Sequence, residues 1–332
     1  MSSVGETSPP YEGLSPELIL AAVESRGYLC DGRQLALNSY ENRVYQVGIE
    51  EASPLIAKFY RPGRWSDAQI LEEHRFSKEL ADQEIPVVAP LADESGRTLH
   101  TFEGFRFALY PRRGGRDPDL DNEQTLEWMG RFLGRMHLLG GRQPYVHRPR
   151  LDLDSFGIEP YRFLVEQRFI PRELEATYRS VAEDVLKRVE MRFEECGAVR
   201  QIRLHGDCHR GNILWTDDGP HFVDFDDSRM GPAVQDLWML LSGEREAMQW
   251  QLGAVLRGYQ QFADFDFIEL NLIEALRSLR MIHYSAWLAR RWHDPAFPAA
   301  FPWFDTPRYW EEQILTLREQ IAALEEPPLS VY

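Results

Sequence analysis

Cysteine is scarce in this chain: only Cys30, Cys196 and Cys208 occur among its 332 residues. An odd number of cysteines without close spacing does not indicate a disulfide framework or a zinc site. The sequence therefore predicts a protein of a reducing compartment, and we expect the cytoplasm.

Long apolar runs and an excess of basic residues are also missing. No run approaches the roughly 18 apolar residues of a membrane span, and the first ten residues lack the basic and apolar regions of a secretory signal. Asp and Glu number 53 against 37 Lys and Arg, which leaves a net charge of −16. Nucleic acid prefers basic surfaces, so it is not expected as a partner. We expect a monomer without a membrane or nucleic-acid partner.

The sequence patterns predict an α+β protein of two lobes. Residues 1–13 are polar and contain proline, so a flexible tail is predicted, and a helix capped by Ser15 follows. One further helix is predicted at 67–81, among short extended runs at 34–37, 43–47, 55–60, 85–91, 98–101 and 105–110.

A cluster of Pro, Arg and Gly at 111–118 is the strongest break in the pattern. Beyond it, helices are predicted at 123–139, after Pro160, and at 171–196, 233–241, 245–262, 267–292 and 308–326. We therefore predict a small β-rich lobe over residues 14–111 and a larger, mainly helical lobe over residues 112–332.

The stretch 202–227 carries the residues best suited to chemistry. Asp207 is followed five residues later by Asn212, and a predicted hydrophobic hairpin leads from Asn212 to Asp224. In a kinase-type site one Asp accepts the substrate proton, while an Asn and a second Asp hold magnesium. Asp207, Asn212 and Asp224 fit these three roles.

Two other interpretations of this stretch compete with phosphoryl transfer. The residues could form a structural turn, or His205, Asp207 and His209 could bind zinc or iron. The glycines of the stretch favour a loop over the flat strand that such a metal site would use. The metal interpretation also leaves Asn212 and Asp224 without a role.

A lysine in a strand could complete the site. Ile56, Lys58 and Tyr60 alternate along the predicted strand 55–60 and would share one face. Lys58 is either an edge-strand lysine with its amine in water or a buried lysine with a charged partner. Glu72 or Glu73 of the next helix could be that partner, and we prefer Glu72, which precedes the apolar Phe76 by one turn.

The motif His205-Gly206-Asp207-x-His209-x-x-Asn212, followed by a strand and Asp224, resembles the signature of aminoglycoside phosphotransferases, choline kinases and homoserine kinases. Further blocks resemble the bacterial stress response kinases, a family of serine/threonine protein kinases. The resemblance runs from about residue 30 to the C-terminal Glu-Pro-Pro-Leu, with blocks at 37–45, 58–62, 71–74, 204–209, 231–241 and 294–298.

The resemblance implies a bilobal protein-kinase-like fold and a kinase that depends on ATP and Mg²⁺. Asp207 would accept the proton, and Asn212 and Asp224 would bind magnesium. Ser39 and Lys58 would contact the phosphates. Ile56 and the linker 109–111, with Tyr110, would flank the adenine.

Two departures from protein kinases stand out. The phosphate turn, residues 38–42, has no glycine, so hydroxyl, amide or backbone N–H groups must hold the phosphates. The motif Asp-Phe-Gly is replaced by Asp224-Phe225-Asp226, so no flip of that motif is predicted.

The acceptor is less defined than the reaction. The resemblance implies a protein serine or threonine, the chain's own hydroxyls included, so that the chain would be a phosphoprotein. The shared signature also fits a small-molecule kinase, and a nucleotide-binding scaffold without turnover is a third hypothesis. Arg229 and residues 295–304 are candidate substrate contacts, although a lid or packing segment over the lobe fits that loop better. His205 and Asp236 are expected to brace the loop, and the role of His209 is open.

Overall fold

The computed structural model describes residues 9–331. Five antiparallel strands form the sheet of the N-terminal lobe in the order β1-β2-β3-β5-β4. The strands are β1 (Cys30–Ala36), β2 (Arg43–Ile49), β3 (Ala52–Phe59), β4 (His100–Phe102) and β5 (Phe105–Pro111). Helices α1 (Pro16–Glu24) and α2 (Asp67–Asp82) complete this lobe.

Strand β3 lies in the middle of the sheet and divides the lobe into two apolar layers. Leu55, Ala57 and Phe59 face the layer that contains α1. Ile56 and Tyr60 belong to the other layer. The predicted alternation along this strand is therefore confirmed. It places Lys58 on the same face as Ile56 and Tyr60.

The C-terminal lobe is mainly helical and is built around one large apolar core. Its helices are α3 (Glu123–Gly140), α4 (Glu159–Glu166), α5 (Arg172–Cys196), α6 (Val234–Trp238), α7 (Arg245–Tyr259), α8 (Ile273–Arg290), α9 (Ala296–Ala300) and α10 (Pro307–Glu325). The α+β fold predicted from the sequence is confirmed. No helix among residues 9–331 is long and apolar enough to cross a membrane.

Glycines let α3 and α7 touch backbone to backbone. A Cβ atom on Gly130 would collide with the carbonyl oxygen of Val255, and one on Gly258 would collide with that of Glu127. Residues larger than glycine at 130 or 258 would force α3 and α7 apart, because the neighbouring atom is main chain in both cases.

Two short antiparallel strand pairs position the central stretch. Strand β6 (Ile202–Arg203) at its start pairs with β9 (Met230–Gly231), which follows its end. Between them, β7 (Ile213–Thr216) and β8 (Gly219–Phe222) form the predicted hairpin, with Ile213 opposite Phe222.

Two segments differ from their predictions. Residues 85–91 do not form a strand: Val87 makes only an isolated bridge to Phe222, so this segment joins the sheet of one lobe to the hairpin of the other. Residues 1–8 of the predicted tail lie outside the described residues. In the rest of the predicted tail, Tyr11 is held in place. Its hydroxyl lies 3.0 Å from the backbone carbonyl of Glu41 and 3.3 Å from that of Phe59.

Candidate active site

The hairpin brings the two predicted magnesium ligands together. The backbone N–H of Val223 donates to the carbonyl of Asn212 at 3.0 Å, which places Asn212 beside Asp224. Asp224 has a left-handed backbone (φ 61°), an uncommon conformation for a non-glycine residue. Its carboxylate is half exposed and lines a cavity between the lobes.

Asn212 also links this pair to Asp207. Its side-chain Nδ2 donates to the backbone carbonyl of Asp207 at 2.9 Å and lies 3.4 Å from the Asp207 carboxylate. The amide oxygen of Asn212 is thereby left for a cation. The three residues singled out from the sequence thus form one cluster.

Buried polar contacts hold this loop. The carboxylate of Asp236 accepts the backbone N–H groups of His205 and Gly206 at 2.8 and 2.9 Å. His205 bonds the carbonyl of Val223 through Nε2, and its Nδ1 accepts the N–H of Asp207. His205 and Asp236 therefore brace the loop, as expected.

The alternative metal site at His205, Asp207 and His209 is not supported, because both ring nitrogens of His205 are occupied. Within residues 9–331 no group of three or more His, Cys, Asp or Glu side chains is placed to hold a metal.

Lys58 is buried and paired. Its Nζ lies 2.9 Å from Asp224 and 3.3 Å from Asp226. Burial works to lower the pKa of Lys58, but the two carboxylates outweigh it and hold that pKa well above its ordinary value. The edge-strand interpretation is wrong, because β3 is central in the sheet and the amine is not in water.

Neither predicted glutamate forms an ion pair with Lys58, whose carboxylate partners are Asp224 and Asp226, and the preference for Glu72 is wrong. The Glu72 carboxylate accepts three backbone N–H groups, those of residues 146–148, at 2.8 to 3.0 Å. Glu73 is buried beside Lys58 in the wall of the cavity. Burial raises the pKa of Glu73 to about 7. Helical spacing could not separate the two, because both positions are buried.

Most of the predicted nucleotide-binding residues line this one cavity, which measures about 400 Å³. Ile56 and Tyr110 lie opposite each other on β3 and β5. The Tyr110 hydroxyl is fixed by the Tyr60 hydroxyl at 2.9 Å. The predicted residues in the lining are Ser39, Ile56, Lys58, Glu73, Tyr110, Asn212 and Asp224. A wider depression of about 920 Å³ between α4 and α5 contains none of them.

Asp226 occupies the position at which protein kinases have the glycine of Asp-Phe-Gly. It is buried between Lys58 and Arg64, whose guanidinium lies 2.6 Å from the Asp226 carboxylate. Arg64 also pairs with Asp227 at 2.8 Å. These pairs anchor the segment after Asp224 to the N-terminal lobe.

The glycine-free loop 38–42 is anchored by Glu41, a contact that sequence reasoning missed. The buried Glu41 carboxylate accepts the Trp287 indole N–H at 2.6 Å and pairs with Arg291 at 2.5 Å and Arg64 at 3.2 Å. Trp287 is 246 residues away along the chain, so no local pattern could have indicated the contact.

Arg280 is the second residue that sequence reasoning missed. Its guanidinium lies 2.7 Å from the Asp207 carboxylate, and His209 lies 3.5 Å from the other oxygen. Burial works to raise the pKa of Asp207, but His209 and Arg280 outweigh it, so the pKa of this carboxyl is below its ordinary value. Asp207 is therefore ionised at neutral pH and able to accept a proton.

The two candidate substrate contacts lie elsewhere. Arg229 is buried and bonds Asp227, so its guanidinium is not open to a substrate. In 295–304, Phe297 and Phe304 are fully buried, and Phe301 packs on Tyr40 with ring centroids 4.7 Å apart. This segment is packing, which confirms the interpretation that the sequence favoured.

Comparison with known proteins agrees with this geometry. The sequence matches the Phosphotransferase enzyme family (APH) over residues 33–273. Stress response kinase A of Escherichia coli strain K12 is 46% identical over 321 residues, which cover 97% of each chain. A Salmonella typhimurium relative named serine/threonine protein kinase RdoA is 44% identical over 323 residues, again 97% of each chain.

Solved structures with a similar fold are kinases as well. An amicoumacin kinase in complex with AMP-PNP and Ca²⁺ superposes with a TM-score of 0.70 at 20% identity, over 93% of this chain and 94% of its own. A microcompartment-associated aminopropanol kinase also gives 0.70, at 17% identity over 92% and 95%. The chain therefore belongs to the APH phosphotransferase family, and within it to the kinases related to stress response kinase A.

Proposed function

We propose that the protein is an ATP- and Mg²⁺-dependent serine/threonine protein kinase that acts in a bacterial stress response. The observation that carries the proposal is the convergence of Asp207, Asn212, Asp224 and Lys58 at one cavity. The names of the relatives support the protein acceptor and the stress response.

The donor set at the cavity fits a magnesium nucleotide. Magnesium prefers hard oxygen ligands and takes only one or two of them from protein. Asn212 and Asp224 would hold it, and it would supply positive charge against the phosphates. The related amicoumacin kinase was solved with a nucleotide analogue and a divalent cation. Ser39 and the N–H groups of its loop would hold the phosphates, while Ile56 and Tyr110 flank the adenine.

The residues of the chain supply positioning and charge for transfer of the γ-phosphoryl group. Asp207 orients the acceptor hydroxyl and takes its proton as the new O–P bond forms, while the bond from the γ-phosphorus to the bridging oxygen breaks and ADP leaves with that oxygen. Lys58 offers a fixed positive charge on the phosphate side of the cavity. Such preorganised charges account for most of the rate in this chemistry.

Asp207→Asn tests the assignment of the base. The substitution keeps the size of the side chain but removes the proton acceptor, so we expect phosphoryl transfer to fall by about 10²-fold or more. Nucleotide binding, measured by calorimetry, should persist. The exposed Asp217 in the hairpin turn provides a matched control, since Asp217→Asn should leave transfer unchanged. Near-normal transfer by Asp207→Asn would refute the role of Asp207.

A small-molecule kinase is the second candidate, and the fold shared with amicoumacin and aminopropanol kinases favours it. Labelled ATP separates the two candidates. Label on protein, including the kinase itself, supports the first proposal. Label found only on metabolites supports the second. A wild-type protein that transfers no label to either would instead support a scaffold without turnover.

A further inference from the structure

One face of α8 connects the catalytic Asp207 with the phosphate loop. Arg280, Tyr284 and Trp287 of α8 and Arg291, which directly follows the helix, are spaced four, three and four residues apart and share that face. Arg280 pairs with Asp207, whereas Trp287 and Arg291 hold Glu41. Tyr284 lies between them and stacks on Trp287 at 5.7 Å. The face therefore links the proposed base to the anchor of loop 38–42.

Arg280 differs from the other arginines near Asp207 in its exposure. Arg64 and Arg229 are buried and already shared with Asp227. The Arg280 side chain is 39% exposed, and its ion-pair partner within residues 9–331 is Asp207 itself. Arg280 thus presents a positive charge to an incoming acceptor beside the proposed base.

The pairing also sets up a competition. An acceptor hydroxyl needs a carboxylate oxygen of Asp207, and Arg280 occupies one of the two. A carboxylate on the acceptor would give the guanidinium a second partner, because arginine binds carboxylates through two parallel N–H bonds. Arg280 could then turn toward the acceptor and free Asp207 for the hydroxyl.

We propose that Arg280 selects acceptors that carry an acidic side chain next to the phosphorylated serine or threonine, with Tyr284 as the adjoining aromatic surface. This inference rests on the proposed protein kinase function. The inference also predicts that cationic amino alcohols are poor acceptors for this chain, because Arg280 would repel an ammonium group beside it.

The test uses two synthetic peptides that contain one serine and differ only in the residues beside it, aspartate in one and lysine in the other. We expect kcat/KM of the wild type to be about tenfold or more higher for the acidic peptide, the value of one charge-assisted contact. Arg280→Gln should abolish this preference, and Arg280→Lys should keep part of it. Arg290→Gln, near the end of the same helix, is the matched control and should keep all of it.

KM for ATP and the melting temperature are measured alongside, since a purely structural role would change these and leave the peptide ratio intact. Equal or reversed preference in the wild type would overturn the inference, as would a preference that survives in Arg280→Gln.

A small-molecule pair separates this inference from the proposed function. A hydroxy carboxylic acid and an amino alcohol are tested in parallel with the peptides. If neither peptide is labelled and labelled ATP also leaves protein, the kinase itself included, without label, the protein kinase proposal fails. In that case the role of Arg280 stands only if the hydroxy acid is preferred and Arg280→Gln loses the preference, and any other result overturns it.

Discussion

Glu269 is a buried carboxyl that serves the fold and lies apart from the cavity. Its carboxylate accepts the backbone N–H of Val234 at 2.8 Å. Burial raises the pKa of Glu269 from 4.5 to about 7. The folded protein therefore binds this proton more tightly than the unfolded chain, and its stability falls as pH rises between these two values.

Glu269→Gln should remove that loss, since the amide oxygen can still accept from Val234. The shift corresponds to about 3 kcal/mol, so above pH 7 the variant should unfold at a higher temperature than the wild type. Thermal unfolding at pH 5 and pH 8 measures the effect. Glu246→Gln, on the exposed surface of α7, is the control and should follow the wild type at both pH values. An unchanged pH dependence in Glu269→Gln would contradict the prediction.

At the residue scale, site residues could be predicted from the sequence where they lie close together along the chain. Asn212 and Asp224 flank one hairpin and Asp207 precedes it by a short loop, so their spacing along the chain brings them together. Glu41 and Arg280 were missed because their partners are remote in sequence, and position on a helix could not decide between the adjacent Glu72 and Glu73.

At the element scale, the close contact between α3 and α7 gives a testable prediction. Gly130→Ala should destabilise the protein by about 1–3 kcal/mol, because the new methyl group meets the main chain of Val255, which cannot move aside. Denaturant unfolding measures this change.

Gly253, also on α7, is the matched control. A Cβ there would lie 3.4 Å from the nearest atom, a side-chain methyl of Val331. Gly253→Ala should therefore be neutral or stabilising by up to about 1 kcal/mol, because alanine is the better helix former. Equal losses from both substitutions would show that backbone contact does not set the distance between these helices.

The anchored loop 38–42, which we propose holds the phosphates, gives a second prediction at the element scale. Trp287→Phe removes the hydrogen bond to Glu41, a bond to a charged group worth about 1.5–3 kcal/mol. We expect KM for ATP to rise about three- to tenfold, with a smaller change in KM for the acceptor. Steady-state kinetics with each substrate varied measure both constants.

Glu41→Gln tests the same anchor from its other side. Glu41→Gln also removes the charge that pairs with Arg64 and Arg291, so its effect on KM for ATP should exceed that of Trp287→Phe. Trp287→Phe should then add less in the double variant than it does alone, because both residues belong to one anchor. The exposed Trp250 supplies a control for the loss of an indole. Additive effects, or the same loss in Trp250→Phe, would contradict the anchoring role.

At the element scale, the periodic segments were predictable and the connecting segment was not. α1, α2, α3 and α5 follow from apolar spacing and caps. Residues 85–91 have strand composition, yet they pair with the hairpin of the other lobe. The sequence of a short extended segment does not specify its partner.

For the whole molecule, buried charges tie the two lobes together. Arg61 pairs with Asp294 at 2.9 Å, Arg64 pairs with Asp226, and Lys58 pairs with Asp224. Each cation belongs to the N-terminal lobe, and each carboxylate follows residue 112. A buried charge without its partner is strongly destabilising, so neither lobe is complete alone.

We therefore expect one cooperative unfolding transition in calorimetry, with equal calorimetric and van't Hoff enthalpies. A fragment of residues 14–111 should lack a cooperative transition, since Lys58, Arg61 and Arg64 would lose their carboxylates. Two separate transitions in the full chain, or a fragment that unfolds cooperatively, would contradict this expectation.

The exposed face of α8 has a practical consequence for redesign. Its neighbours Ile282, Ser285 and Ala286 are buried and hold the helix in place, whereas Arg280 and Tyr284 keep more than a third of their surfaces in solvent. A substitution of the exposed Tyr284 should change stability by no more than about 0.5 kcal/mol, whereas a substitution of Arg280 also removes the ion-pair partner of Asp207. A library that varies only these two positions is therefore a direct way to obtain kinases with new acceptors from this scaffold.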